Sequence, residues 1–234
     1  MKKTLFILTM AAVFVINAVA QQTIVNVPSA DVLDKGKVYV EFDASYKFDK
    51  NANNVVGQFS SFVPRVVVGI GNKIEVGVNV LGNIQPGADA TTVVPTIKAK
   101  VYDKESWSIV TGANIYLPVR NRAYNIGSYT YVQASKTFKS NTRLTFGGYH
   151  VSKNVFASQA QRAGGQFGIE QSINSKFSIG ADWITGRHAA GYVTPVLTYK
   201  PHPKVAIYQG YSIGNADANR GNHFFYTAIG INLN

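Results

Sequence analysis

The chain has 234 residues, 46% hydrophobic and 15% charged, where an average soluble domain carries about 25% charged residues. Its formal charge is +11 and it contains no cysteine, so no disulfide can brace the fold. The 23 basic residues are scattered singly, without a cluster of arginines and aromatics, which argues against a nucleic-acid partner.

Residues 1–20 have three parts: a basic start "MKK", the apolar run "LFILTMAAVFVI", and a small-x-small site at Ala18, Val19 and Ala20. This is the layout of a secretory signal peptide, and the apolar run is too short for a membrane anchor. Its removal takes away Lys2 and Lys3 and lowers the formal charge to +9. Residues 21–36 follow as a lead-in expected on the periplasmic side. The lead-in is too brief for a domain, and it is free to enter a lumen or to bind a partner.

From Lys37 onward the chain alternates. In "KVYVEFDASYKF" Val38, Val40, Phe42, Ala44 and Tyr46 fall on one face, and Tyr39, Glu41, Asp43 and Ser45 on the other. A strict period of two over twelve residues predicts a long β-strand with unlike faces. The pattern recurs in "KIEVGVNV", "KFSIGADW" and "FFYTAIGINL". Twelve strands are expected, starting near Lys37, Ser61, Lys73, Thr92, Trp107, Ser128, Thr142, Gly164, Lys176, Gly191, Lys204 and His223. No segment after residue 20 offers the roughly twenty apolar residues of a transmembrane helix.

The connections alternate in length. "GN", "DKES", "KSN", "NS" and "PHP" are short; Asp49–Ser60, Gly82–Ala90, Pro118–Gly127, Ser152–Ala163 and Gly214–Asn222 are long. Short turns at one end and long loops at the other predict an antiparallel up-and-down transmembrane β-barrel over 37–234, with periplasmic turns and extracellular loops. The polar face mixes a few charges with Gly77, Gly112, Gly147, Gly168, Gly180, Gly210, Gly230, Ser, Thr, Asn and Tyr. That composition suits the inner wall of a narrow barrel better than a solvated sheet face. The Val, Ile, Leu and Phe face is therefore expected to meet lipid.

On these features the mature chain resembles the Gram-negative outer-membrane β-barrels. The segments "VPSADVLDKGKVYVEF" and "SIGADWITGRHAAGYVTPVLTY" also look like an uncharacterised barrel family of about twelve strands. The resemblance implies a cell outer-membrane location. It also implies outer-membrane lipids, lipopolysaccharide and the barrel-assembly machinery as partners.

Alternation assigns Glu41, Asp43, Arg65, Glu75, Lys98, Lys100, Arg143, Glu170 and Asp182 to the lumen, with Lys37, Lys47, Lys73, Lys176 and Lys200 adding basic charge. Two arrangements satisfy such charges: cross-lumen pairs that hold the wall, or a basic surplus facing water that favours anions. The surplus makes a passive channel for small anionic solutes the leading expectation. A structural or adhesive barrel acting through its outer loops is the alternative.

A third reading rests on "GGYHVSKN", where His150 and Ser152 share one face. Outer-membrane lipid hydrolases carry a similar His-x-Ser pair, which needs an Asn or acidic orienter from the next strand. Here that strand offers only Gln161 or Gln166. Catalysis is not the expected role. His188, His202 and His223 lie in different connections and make no metal set, and no cofactor is expected.

Overall fold

The computed structural model describes residues 23–47, 60–81, 91–119, 125–156, 158–216 and 220–233. The expected signal peptide and most of the long loops lie outside the described residues. Twelve strands form one closed antiparallel barrel. They are β1 Val38–Tyr46, β2 Ser60–Gly71, β3 Ile74–Leu81, β4 Thr92–Lys104, β5 Trp107–Pro118 and β6 Gly127–Thr137. The second half holds β7 Thr142–Val151, β8 Ala163–Ser172, β9 Phe177–Ile184, β10 Tyr192–His202, β11 Val205–Gly214 and β12 Phe224–Asn232. Every strand begins within one residue of the start that the alternation predicts.

Each strand pairs with its neighbours in sequence, and β12 closes on β1 from Tyr39↔Asn232 to Tyr46↔Phe225. Closure removes the free edges that an open sheet would carry. Three bulges, at Gly69/Gly71, Lys100/Tyr102 and Tyr199/His202, sit at the short-turn end. There a bulge re-aims a strand without opening the middle of the wall. Prolines interrupt the ladder in two further places. The β4–β5 pairing skips from Val93↔Leu117 to Thr96↔Asn114 around Pro95, and β10–β11 skips from Val193↔Ile213 to Val196↔Gly210 around Pro195. Proline has no N–H to give the ladder. At the second gap the Thr194 and Ser212 hydroxyls bridge the strands at 2.9 Å.

The molecule is apolar outside and polar within. Phe42, Ile97, Val132, Phe146, Phe167, Ile179, Leu197 and Ile229 are exposed around the wall. Glu41, Glu75, Lys98, Gln133, Gln166 and Asp182 are buried in the interior. A water-soluble fold would reverse this distribution.

Candidate functional site

The interior is not an empty tube. The lead-in segment folds into it, with Ile24, Val25, Val27, Ser29, Ala30 and Leu33 all buried. Residues 23–28 form a tight turn: Thr23 bridges Pro28, and the Ile24 N–H donates to the Val27 carbonyl at 2.8 Å. Ile24, Val27 and Ala30 pack on Val110, Tyr129, Tyr131, Tyr149, Val151 and Ile184, an apolar patch on the inner wall. Val25 packs on a second patch that includes Val196, Tyr208 and Tyr226.

Wall glycines make room for this segment. A Cβ at Gly168 would sit 2.2 Å from Ile24 Cδ1. A Cβ at Gly69 would sit 2.1 Å from the Asp34 carbonyl oxygen, which is backbone and cannot swing away. Near Gly69 the segment joins the ladder, through Gly36 N–H to the Gly69 carbonyl at 2.8 Å and Gly69 N–H to the Lys37 carbonyl at 3.0 Å.

The lumen charges hold the segment. The N–H groups of Val25, Asn26 and Val27 all donate to Asp182 Oδ2, at 2.9, 2.6 and 2.7 Å. One carboxylate oxygen thus satisfies three consecutive donors that the turn would otherwise bury unpaired. Leu33 N–H donates to Glu75 Oε2 at 2.7 Å, and Lys98 Nζ reaches the Ser29 carbonyl at 3.5 Å. Arg143 Nη1 meets Asp31 Oδ2 at 2.6 Å. Burial pushes the Asp31 carboxyl up, but Arg143, with Lys98 and Lys100 beyond it, outweighs burial and holds it below its usual value.

The same residues pair across neighbouring strands. Glu41 opposes Arg65, Glu75 opposes Lys98 and Arg143 opposes Glu170 in the registers of β1–β2, β3–β4 and β7–β8. Their ion pairs measure 2.7, 3.0 and 2.6 Å. Arg65 also reaches Asp43 Oδ2 at 3.3 Å, Asn79 Oδ1 at 3.1 Å and Thr23 Oγ1 at 3.3 Å. Lys100 faces Asp103 at 3.6 Å near the short-turn end.

The expected basic surplus is not assembled in the middle of the barrel. Lys37, Lys73 and Lys176 lie exposed at strand ends and turns. Arg65, Lys98, Arg143, Lys100 and the half-buried Lys200 are matched by Glu41, Asp43, Glu75, Glu170 and Asp182, with Asp31 added by the segment. Alternation assigns a side chain to a face but not to a height along the strand, so it counted rim lysines as lumen.

A cavity of about 510 Å³ remains beside the segment. Asp43, Arg65, Asn79, Tyr116, Tyr131 and Tyr226 are among its lining residues.

The His150–Ser152 pair faces the other way. His150 is exposed on the outside of β7, paired across the ladder with Thr130 and Ala163. Ser152 Oγ accepts the Ser128 N–H at 2.9 Å. Gln166 is buried inside and bonded to Gln133 and Tyr129. Gln161 Nε2 donates to the Ala163 carbonyl at 3.0 Å. Neither glutamine orients His150, so no triad is assembled among the described residues.

Asp31, Asn26, and the interior tyrosines 116, 131 and 226 were missed in the sequence. Inward alternation would have flagged the tyrosines, but only a folded lumen brings residues 26 and 31 to the wall.

Among solved structures the chain is similar to an outer membrane channel of Pseudomonas putida F1, with 12% identity and a TM-score of 0.50. That alignment covers 86% of this chain and 97% of the channel. It is also similar to outer membrane phospholipase A of Escherichia coli, with 12% identity, a TM-score of 0.49, and coverage of 85% and 90%. No family model and no curated relative matches the chain. The chain has the fold of an outer-membrane β-barrel.

Proposed function

We propose that the protein resides in the outer membrane as a channel for small solutes, closed by its own lead-in segment. The observation that carries this reading is the way the segment is held. Its anchors are hydrogen bonds and ion pairs from Asp182, Glu75, Lys98 and Arg143 to residues 25–33, and a cavity of about 510 Å³ stays unfilled beside it. Cross-strand ion pairs already brace the wall, but Asp182 gives its carboxylate to three N–H groups of the segment, and a wall that only needed bracing would fill the remaining space with side chains. Here wall charges are spent on a segment that is tied to the barrel covalently only at Lys37. The similarity to an outer membrane channel agrees in fold and adds nothing on solute.

The anion preference expected from the sequence is not part of this proposal, because the central basic residues are matched by acids. The adhesive alternative depends on long loops of which residues 49–59, 82–90, 120–124 and 217–219 fall outside the described residues.

Single-channel recording in planar bilayers tests the reading. Wild-type protein is expected to conduct in rare, small steps, and Asp182→Ala to open more often, because three backbone donors lose their acceptor. The chain has no cysteine, so Ile24→Cys with Gly168→Cys gives one engineered bridge between segment and wall. Oxidation of that double variant is expected to silence it and reduction to restore the steps. Silence of Asp182→Ala in folded, heat-modifiable protein would sink the channel reading in favour of a structural barrel.

A further inference from the structure

We propose that the interior cavity binds a neutral polyhydroxylated solute of sugar size, held by the row Thr96, Asn114 and Tyr116. The proposal rests on the channel reading and deepens it by naming the solute class.

The cavity lies on the long-loop side of the lead-in segment. Thr23 and Asn26 of the segment border it on one side. Ser45, Leu81 and Tyr116 border it on the other, each within two residues of the long-loop end of its strand.

Charge excludes an ionic ligand. The charged lining residues are Asp43, Arg65, Glu75 and Lys98, which sum to zero. Their donors are spent within the protein. Arg65 gives Nε to Asn79, Nη1 to Glu41 and Thr23, and Nη2 to Asp43. Lys98 Nζ meets Glu75 at 3.0 Å and the Ser29 carbonyl at 3.5 Å. A charged solute would enter a poorly hydrated space without a free counter-charge, which is costly.

The neutral lining is where hydrogen bonds are on offer. Thr96 and Asn114 are directly paired on β4 and β5, and Tyr116 follows Asn114 on the same face. All three line the cavity and are half-buried, so the surface they keep is turned to it. Their side-chain polar groups make no hydrogen bond to another described residue. Two hydroxyls and an amide side by side, each able to donate and accept, match a run of vicinal hydroxyls. Water satisfies the same groups, but a polyol replaces several ordered waters at once while repeating their hydrogen bonds.

Apolar surface stands beside the row. A Cβ at Gly112 would sit 2.3 Å from the end of the Tyr131 ring, so that ring lies down along the wall over the glycine instead of crossing the cavity. The C–H face of a polyol packs on such a ring while its hydroxyls reach the row. A cavity of about 510 Å³ lies in the size range of small-molecule sites.

The test is calorimetric binding to the full-length protein folded in detergent. The probes are three six-carbon chains that differ at one end: sorbitol, its amine glucamine and its acid gluconate. Sorbitol is expected to bind at least tenfold more tightly than either charged relative. Asn114→Leu is expected to weaken sorbitol about tenfold and Thr96→Val about threefold, as the loss of hydrogen bonds at a buried site would. Heat modifiability checks folding of both variants, and the wild-type probe comparison stands without them.

No binding of sorbitol to wild type, a charged probe bound as tightly as sorbitol, or sorbitol binding unchanged in both folded variants would each overturn the proposal. Selective sorbitol binding to a protein that never conducts would uphold this site while removing the channel reading. Conduction without sorbitol binding would do the reverse.

Discussion

Three of the short turns hold a non-glycine residue at positive φ: Lys73 at 71°, Glu105 at 53° and Asn141 at 60°. Asparagine tolerates this region, but lysine and glutamate pay about 1–2 kcal/mol for it. Part of any relief by glycine is lost to the freer unfolded chain, a loss of about 0.5–1 kcal/mol. Lys73→Gly is therefore expected to stabilise the barrel by about 0.5–1 kcal/mol, read from urea unfolding in lipid vesicles. His188, in the β9–β10 connection, makes a pH prediction. Its Nδ1 accepts the Ala190 N–H at 3.2 Å, and Nε2 faces the Thr185 carbonyl at 2.9 Å and the Tyr149 hydroxyl at 2.5 Å. Nε2 therefore carries the proton of the neutral ring, and protonation at Nδ1 would set two N–H groups against each other. Burial depresses the His188 pKa below 6.5, only partly opposed by the Thr185 hydrogen bond. A depressed histidine contributes stability that is present above pH 6.5 and is lost as pH falls through the lower, folded value. Phe156 stacks on this ring with centroids 4.5 Å apart, so acidification through the lowered folded pKa is expected to loosen the segment that carries Phe156. Tyrosine and phenylalanine line shapes in NMR would report it, and His188→Gln should abolish the step.

At the scale of elements, all twelve strands were legible because an apolar outer face and a polar lumen enforce a period of two along every one of them. The lead-in segment was not legible in the same way. "TIVNVPSADVLDKG" has no period that assigns it to a sheet or a helix, and its burial depends on carboxylates 42 to 157 residues away in sequence. Sequence reading thus named Glu75, Arg143 and Asp182 as inward without showing what they hold. Two predictions belong to this element. Gly69→Val would drive a side chain into the Asp34 carbonyl, so residues 34–36 must move; limited proteolysis is expected to cut the lead-in of this variant and spare wild type. The Asp31–Arg143 contact makes the second. Because the folded Asp31 pKa is lowered, its contribution is present above the usual carboxylate value of 3.8 and lost as pH falls through the still lower folded value. Channel openings are therefore expected to become more frequent on strong acidification, with a smaller pH response in Asp31→Asn.

For the whole molecule, the decisive property is that apolar side chains face outward all round a wall whose backbone ladder is closed. A polypeptide in hydrocarbon must satisfy every backbone donor and acceptor internally, which a closed barrel does. Leu197 lies midway along β10 and is 46% exposed. If this surface met water, Leu197→Arg would change stability by no more than about 0.5 kcal/mol, as most surface substitutions do. If it meets the bilayer midplane, the same change costs about 2–4 kcal/mol. Reversible unfolding from phospholipid vesicles is expected to give the larger value for Leu197→Arg and for Val132→Arg at the middle of β6. Arginine near the short-turn end, at Ile173, is expected to cost about 0–1 kcal/mol, as at a membrane interface. A flat profile across the three sites would mean that the exposed belt is covered by something other than lipid. A profile that peaks at mid-strand would fix both the location of the barrel and the depth of its cavity in the membrane.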